Sequence, residues 1–183
     1  NQVFGLYSLT IAWWAFCEAS YVNGPSFETA SFFIRLGWIG IIFIAPTFLH
    51  TVFLSTAYRT RTDQITLIGG YAISVILCGM HLSFDLISYP LRPLQYLRYF
   101  PELTPVGLLV PLTFLALVNI ALWRVWVSSQ RATGQQRVQL RFLFWASLIG
   151  YLGGGADWLP TVGIYVPGLN PFGIYAVPMY SIA

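Results

Sequence analysis

Five ionisable side chains interrupt the apolar stretches of this sequence: Glu18, His50, His81, Asp85 and Asp157. A charged group surrounded by lipid is costly, so each of these side chains must be paired, hydrated or functional. Carboxylates and imidazoles can recognise a ligand, bind a proton or coordinate a metal ion. Their spacing matches no recognised metal-ligand motif, so we expect no metal site.

One group of these residues predicts a binding pocket. His81 and Asp85 are four residues apart and therefore share one face of a helix. Two further carboxylates end other apolar stretches at the same predicted membrane face. The candidate pocket opens outward and binds a ligand or titrates with pH; it comprises Glu18, His81, Asp85, Asp157 and Trp158. In the alternative interpretation these groups are hydrated helix ends, or are paired with Arg35 or Arg92.

The sequence favours no resident cofactor and no catalysis. His50 and His81 differ in predicted depth by about 13 Å at the rise of an α-helix, which is too far for a haem held between both. Ligation of a chlorophyll-type pigment by one histidine stays open as an alternative. The chain carries no phosphate-binding glycine loop, zinc signature or nucleophile elbow, so we expect it not to be an enzyme.

The composition is that of a protein dissolved in lipid. Hydrophobic residues make up 57% of the 183 residues and charged residues 8%, and the mean hydropathy is +0.69. The formal net charge of +3 comes from arginines that lie mostly between apolar segments. This pattern is typical of the cytoplasmic loops of membrane proteins, so no nucleic-acid partner is expected.

The apolar segments predict an all-α, polytopic transmembrane helical bundle that forms a single domain over residues 1–183. A span needs about 20 apolar residues, since each residue rises 1.5 Å. Six segments are visible: residues 3–19, 32–57, 65–89, 106–127, 140–159 and 172–183. The chain begins without Met and ends within an apolar segment, so we expect a fragment of a protein with seven spans.

The arginines also predict an orientation. Six of them flank the second and fourth predicted loops, against three near the alternate loops. The first set marks the inside. The sequence thus predicts a multi-pass protein of the bacterial inner membrane with a cytoplasmic C-terminus. The apolar residues of the outer segment 91–100 recur every third position, which predicts a segment lying flat on the membrane surface.

Small residues predict where helices approach each other closely. Gly150 and Gly154 form a small-xxx-small face, and glycines recur in pairs at 37 and 40 and at 69 and 70. We expect all of them to be helix-packing sites.

Several motifs resemble the seven-transmembrane N-terminal sensor region of bacterial histidine kinases. The most telling is residues 150–160, Gly-Tyr-Leu-Gly-Gly-Gly-Ala-Asp-Trp-Leu-Pro, followed by Pro-Phe-Gly at 171–173. Others are Ala-Pro-Thr-Phe-Leu-His at 45–50 and Arg-Val-Gln-Leu-Arg at 137–141. The resemblance covers nearly the whole chain. It implies a bundle that senses an extracellular or intramembrane cue and relays it through the last helix to a kinase.

Two functions therefore remain open. The first is a sensory input domain in which a cue near Asp85 and Asp157 shifts helix packing. The second is a non-catalytic accessory or scaffold subunit of a larger photosynthetic or respiratory membrane complex, docked through its apolar surface and arginine loops. The expected partners are the lipid bilayer and other transmembrane helices, either of a larger complex or of a second copy in a homodimer.

Overall fold

The computed structural model describes residues 2–56, 60–84, 91–94, 97–156 and 158–164. Within these ranges the chain is mostly helical and contains one small β-hairpin. The long helices are α1 (Gln2–Val22), α2 (Phe27–Ser55), α3 (Arg61–Phe84), α4 (Leu109–Arg131) and α5 (Gly134–Ala156). The remaining elements are strands β1 (Arg92–Leu94) and β2 (Leu97–Phe100) and the short helix α6 (Trp158–Thr161).

Consecutive long helices run antiparallel, as contacts along their lengths indicate. For example, Gly40 of α2 lies against Thr10 and Trp14 of α1, and Gly70 of α3 lies against Leu117 of α4. Strand β2 lies at the end of the bundle where α2 begins, because Tyr99 contacts Phe27 with ring centroids 6.0 Å apart. We call this end the hairpin end. The opposite end, where α4 stops at Arg131 and α5 starts, is the arginine end.

Helix α2 is the central element. It packs on α1, α3 and α4. In its most apolar stretch of 18 residues, 61% is buried, against 22% in the corresponding stretch of α3. Around it lie two buried apolar clusters. One cluster at the hairpin end includes Trp38, Ile42 and Leu77, and the other, nearer the arginine end, includes Phe48 and Val125.

Polar side chains set the beginnings of α2 and α3. The Ser26 hydroxyl accepts a hydrogen bond from the Thr29 amide at 3.2 Å, so α2 starts at Phe27 and not at the predicted residue 32. Thr60 and Asp63 cap each other's amides at 2.8 and 3.1 Å, and α3 therefore starts at Arg61, four residues before the predicted residue 65.

A proline within α2 is compensated from α3. Pro46 lacks an amide proton, so the carbonyl of Ile42, four residues earlier, loses its helical donor. The buried Ser74 hydroxyl donates to that carbonyl at 3.1 Å. Satisfying freed backbone groups from a neighbouring helix is what allows proline inside an apolar bundle.

The backbone form of segment 91–100 was not predicted. Its described residues form an antiparallel hairpin in which Arg92 pairs with Phe100 and Leu94 with Leu97. Three of the four apolar residues that recur every third position, Leu94, Leu97 and Phe100, lie on the two strands. That the segment lies flat on the membrane surface stays a prediction. Pro93 cannot donate to an interior helix bond, but an edge strand tolerates it.

Within the described ranges, three helices are long and apolar enough to cross a membrane by length and composition: α2, α3 and α4. The prediction of six spans is thus supported only in part. Trp13, Trp14 and Glu18 lower the hydropathy of α1, and Arg137 and Arg141 lower that of α5. The predicted sixth span, residues 172–183, lies outside the described residues.

The predicted glycine contacts divide into two groups. A Cβ at Gly40 would lie 3.0 Å from the Thr10 carbonyl oxygen, and one at Gly37 would lie 3.2 Å from Cys17. These positions and Gly70 are packing sites, as predicted. No described atom lies within 4 Å of a Cβ built at Gly69 or Gly154, so the described helices supply no packing partner there.

Candidate functional site

Trp38 is the centre of the hairpin-end site. Its side chain is 3% exposed, and it joins two of the predicted site residues. The His81 ring lies 6.5 Å from the Trp38 ring between centroids, and the Trp158 ring lies 5.9 Å away on another side. Both contacts are edge-on, the arrangement that the aromatic quadrupole favours. Trp38 therefore brings α3 and α6 together on α2.

His81 is held by a reciprocal clamp between α2 and α3. It is 2% exposed, and its Nε2 lies 2.9 Å from the backbone carbonyl oxygen of Arg35. A carbonyl oxygen can only accept, so Nε2 carries a proton and donates it. In return, Arg35 donates from Nη2 to the carbonyl of Leu82 at 2.6 Å. The imidazole is thus fixed in one orientation against Trp38.

Glu18 is held by its own helix. Trp14 donates from Nε1 to one carboxylate oxygen at 3.0 Å, and Tyr21 donates its hydroxyl to the other at 3.1 Å. Tyr21 belongs to the same buried cluster as Trp38. Glu18 therefore reaches the hairpin-end site through Tyr21, and its two hydrogen bonds satisfy a charge that would be costly near lipid.

Trp158 is placed by the short helix α6. The Leu103 amide donates to the Thr161 carbonyl at 2.9 Å, which ties α6 to the segment between the hairpin and α4. The Trp158 ring then lies between Trp38 and Phe114, whose centroid is 5.9 Å away. The predicted site residue Trp158 thus joins α6 to α2 and α4.

Ring contacts continue from this site into the bundle. Phe114 lies 5.6 Å from Tyr151, and Tyr151 lies 5.0 Å from Phe48 between centroids. The Tyr7 hydroxyl is 3.2 Å from the Tyr151 hydroxyl. We call this set the aromatic column; it consists of Trp38, Trp158, Phe114, Tyr151, Phe48 and Tyr7. It connects the hairpin-end site to the first turns of α1, the second half of α2 and the last turns of α5.

Part of the predicted pocket cannot be compared with the structure. Asp85 and Asp157 lie outside the described residues, so their place at the site stays a prediction. Of the predicted packing pair, Gly150 is buried and Gly154 is half-buried.

A second polar region lies at the arginine end. His50, Phe53, Asp63, Gln64 and Leu67 line a cleft of about 70 Å³. Next to it, His50 Nδ1 is 3.2 Å from the Tyr71 hydroxyl. His50 and His81 thus lie in different parts of the bundle, as the depth comparison predicted.

An ion pair between Asp63 and Arg124 joins α3 to α4 beside this cleft. The two side chains are 14% and 22% exposed, so the pair is mostly shielded from solvent. The residues are 61 positions apart in sequence, which is why no local pattern predicted the pair. Trp38 was also missed, because a tryptophan near one end of an apolar segment is typical of a residue at the membrane interface.

Among the described residues, no three His, Cys, Asp or Glu side chains converge in a way that would hold a metal ion. No family model, no curated protein and no solved structure matches this chain. The function must therefore be argued from the geometry.

Proposed function

We propose that this chain is a membrane-embedded sensory input domain. In this proposal the hairpin end faces outward and receives an extracellular or intramembrane cue, and the arginine end faces the cytoplasm and passes the change to a signalling module. The aromatic column carries the proposal, because it links the predicted site to three long helices through successive ring contacts. The resemblance to kinase sensor regions points to the same role, and the proposal assigns no catalytic step to this chain.

The physical basis is the bistability of packed aromatic groups. A core at native density does not deform continuously, so moving one ring requires its neighbours to adopt a second arrangement. A ligand that binds against Trp158 would shift this ring relative to Trp38 and Phe114. Tyr151 would follow, and with it the contact between α5 and Tyr7 of α1. Tryptophan faces favour a ligand with an apolar or cationic surface.

A reporter assay tests the proposal. The chain, joined to a kinase core with a transcriptional reporter, is compared with Trp158→Phe at the site and Phe114→Leu in the aromatic column. Trp123→Phe, on an exposed surface of α4, is the matched control. We expect both column variants to change output per molecule, after normalisation to membrane abundance, and the control to leave it unchanged. Equal output from all three variants would refute the sensing role.

The proposal includes a multi-pass placement in a bacterial inner membrane with a cytoplasmic C-terminus. Helices α1 and α5 then cross the bilayer beside the three strongly apolar helices. Their outward residues support this, because α1 exposes Phe4, Leu9 and Phe16 while α5 exposes Ile149 and Leu152. Lipid contact explains large apolar side chains on the surface of both helices.

A second candidate function is an accessory subunit of a larger membrane complex. Helix α3 favours it, because most of its surface is apolar and uncovered by the described helices, including Ile65, Ile68, Val75 and Ile76. A partner helix or lipid would cover this face equally well. Purification in mild detergent discriminates the two functions. A stoichiometric complex that dissociates on Ile68→Trp supports the subunit, and a lone chain with full reporter output supports the sensor.

A further inference from the structure

The arginine-end tip, formed by the end of α4 and the start of α5, carries exposed arginines. Arg131 ends α4, and Arg137 and Arg141 lie in the first turns of α5; all three are exposed. Residues 125–141 contain no Asp or Glu. The preceding arginine, Arg124, behaves differently, since it turns towards Asp63 and ties α4 to α3. Arg124 is thus turned into the bundle, whereas Arg137 and Arg141 are exposed at its surface.

An exposed apolar stripe continues directly from these arginines. Arg137 and Arg141 are four residues apart and lie about 6 Å from each other along one face of α5. Beside them runs a row of exposed apolar side chains spaced three or four residues apart: Val138, Phe142, Trp145, Ile149 and Leu152. The arginines complement the anionic headgroup of a phospholipid, and the apolar row complements its acyl chains.

Aromatic contacts fix the tip. Trp126 of α4 packs on Phe144 of α5 with centroids 5.0 Å apart, and Phe144 contacts Trp145 at 5.2 Å. The turn between the helices is short, because Gly134, the first residue of α5, adopts φ +56°. The arginines therefore project from a rigid helical hairpin, and an indole ring lies about one turn further along the helix. Tryptophan prefers the headgroup depth of a bilayer.

We propose that the α4–α5 tip is a binding site for an anionic phospholipid. The guanidinium groups of Arg137 and Arg141 bind the headgroup phosphate, for which the planar fork of arginine is suited. The acyl chains lie along Phe142, Trp145 and Ile149. The site fixes the depth of α5 in the membrane. This inference rests on the membrane placement proposed above.

Native mass spectrometry of the detergent-solubilised chain tests this site with dioleoyl-phosphatidylglycerol and dioleoyl-phosphatidylcholine. We expect the first phosphatidylglycerol to bind at least fivefold more tightly, because an arginine near an anionic surface contributes roughly fivefold in affinity. The double variant Arg137→Gln/Arg141→Gln should reduce this preference to less than twofold. The double variant Arg137→Lys/Arg141→Lys keeps the charge and should keep part of the preference for phosphatidylglycerol. A preference retained in this variant would show that the tip is still folded.

Arg61→Gln is the matched control, since Arg61 is an exposed arginine at the same end of the bundle, on α3. It should leave the lipid preference unchanged. An equal loss in this control would mean that only general charge matters and would overturn the site. Competition by millimolar glycerol phosphate would overturn it in favour of a soluble phosphate. Equal binding of both lipids refutes the site alone, and binding of neither also refutes the membrane placement.

Discussion

The two ends of the bundle use different polar contacts to join neighbouring helices. At the hairpin end, His81 and Arg35 bond to main-chain carbonyls of the opposite helix and are surrounded by aromatic rings. At the arginine end, His50 bonds to Tyr71 and Asp63 pairs with Arg124, so side chains bond to each other. A side chain bonded to a helix backbone is fixed relative to that helix. Paired side chains can rearrange while both helices keep their backbone.

The difference assigns the two ends different roles in the proposed sensor. The hairpin end holds its rings in one arrangement, which a cue must displace. The arginine end anchors the bundle through charge and is easier to alter without loss of the fold. Substitutions at the hairpin end should therefore cost more stability.

The largest effect is expected from Trp38→Ala. This side chain is almost fully buried between His81 and Trp158, so its removal leaves a cavity. We expect a loss of about 3–5 kcal/mol in unfolding free energy, measured by chemical denaturation in detergent. Trp123→Ala is the matched control, since Trp123 is 68% exposed and fills no core space. Equal losses in the two variants would show that Trp38 is not a core residue.

The next effect concerns the close approach of α1 and α2. Gly40→Leu places a side chain against the backbone of Thr10 and should cost about 1–3 kcal/mol through overpacking. Gly69→Leu adds the same side chain where no described atom lies within 4 Å. Both changes alter helix propensity equally, so the difference between their melting temperatures reports packing. A lower melting temperature for Gly69→Leu would contradict the arrangement of α1 against α2.

A smaller effect is expected from the ion pair at the arginine end. Asp63→Asn removes the charge but keeps an oxygen that can accept from the Thr60 amide. We expect a loss of about 1–2 kcal/mol, between the values for exposed and buried pairs. A double-mutant cycle with Arg124→Gln measures the coupling. Strictly additive losses would mean that the pair does not stabilise the contact between α3 and α4.

The orientation of the two ends can be tested with little effect on stability. In a background without Cys17 and Cys78, Thr133→Cys is expected to react with an impermeant thiol reagent only in permeabilised cells. Asn23→Cys, in the connection between α1 and α2 at the hairpin end, should react in intact cells. The reverse pattern would place the arginine end outside.

The helices could be predicted from the sequence because their signal is local. Apolar runs identified all five long helices, although capping by Ser26 and Thr60 moved two beginnings by several residues. The hairpin was missed because a short apolar repeat is compatible with more than one backbone form. Gly40 and Gly154 are both glycines in apolar segments, so the sequence does not distinguish them. In the structure, only Gly40 of the two lies close to a described neighbour.

The candidate site was predictable only in its composition. His81 and Trp158 were selected as costly or interfacial residues, but their common contact with Trp38 depends on packing between distant segments. The Asp63–Arg124 pair could not be predicted for the same reason, since each residue by itself is typical of a loop or helix end. Sequence spacing describes one helix face at a time, and these contacts join different helices.

Hydrogen exchange after Trp158→Ala tests most directly whether the hairpin-end site is coupled to the rest of the bundle. The aromatic column predicts faster amide exchange not only in residues 97–110 and 158–164 but also in residues 2–14, which Tyr7 connects to Tyr151. Trp123→Ala, on an exposed part of α4, should leave exchange in residues 2–14 unchanged. Faster exchange confined to the segments around Trp158 would contradict the coupling and, with it, the proposed route of the signal.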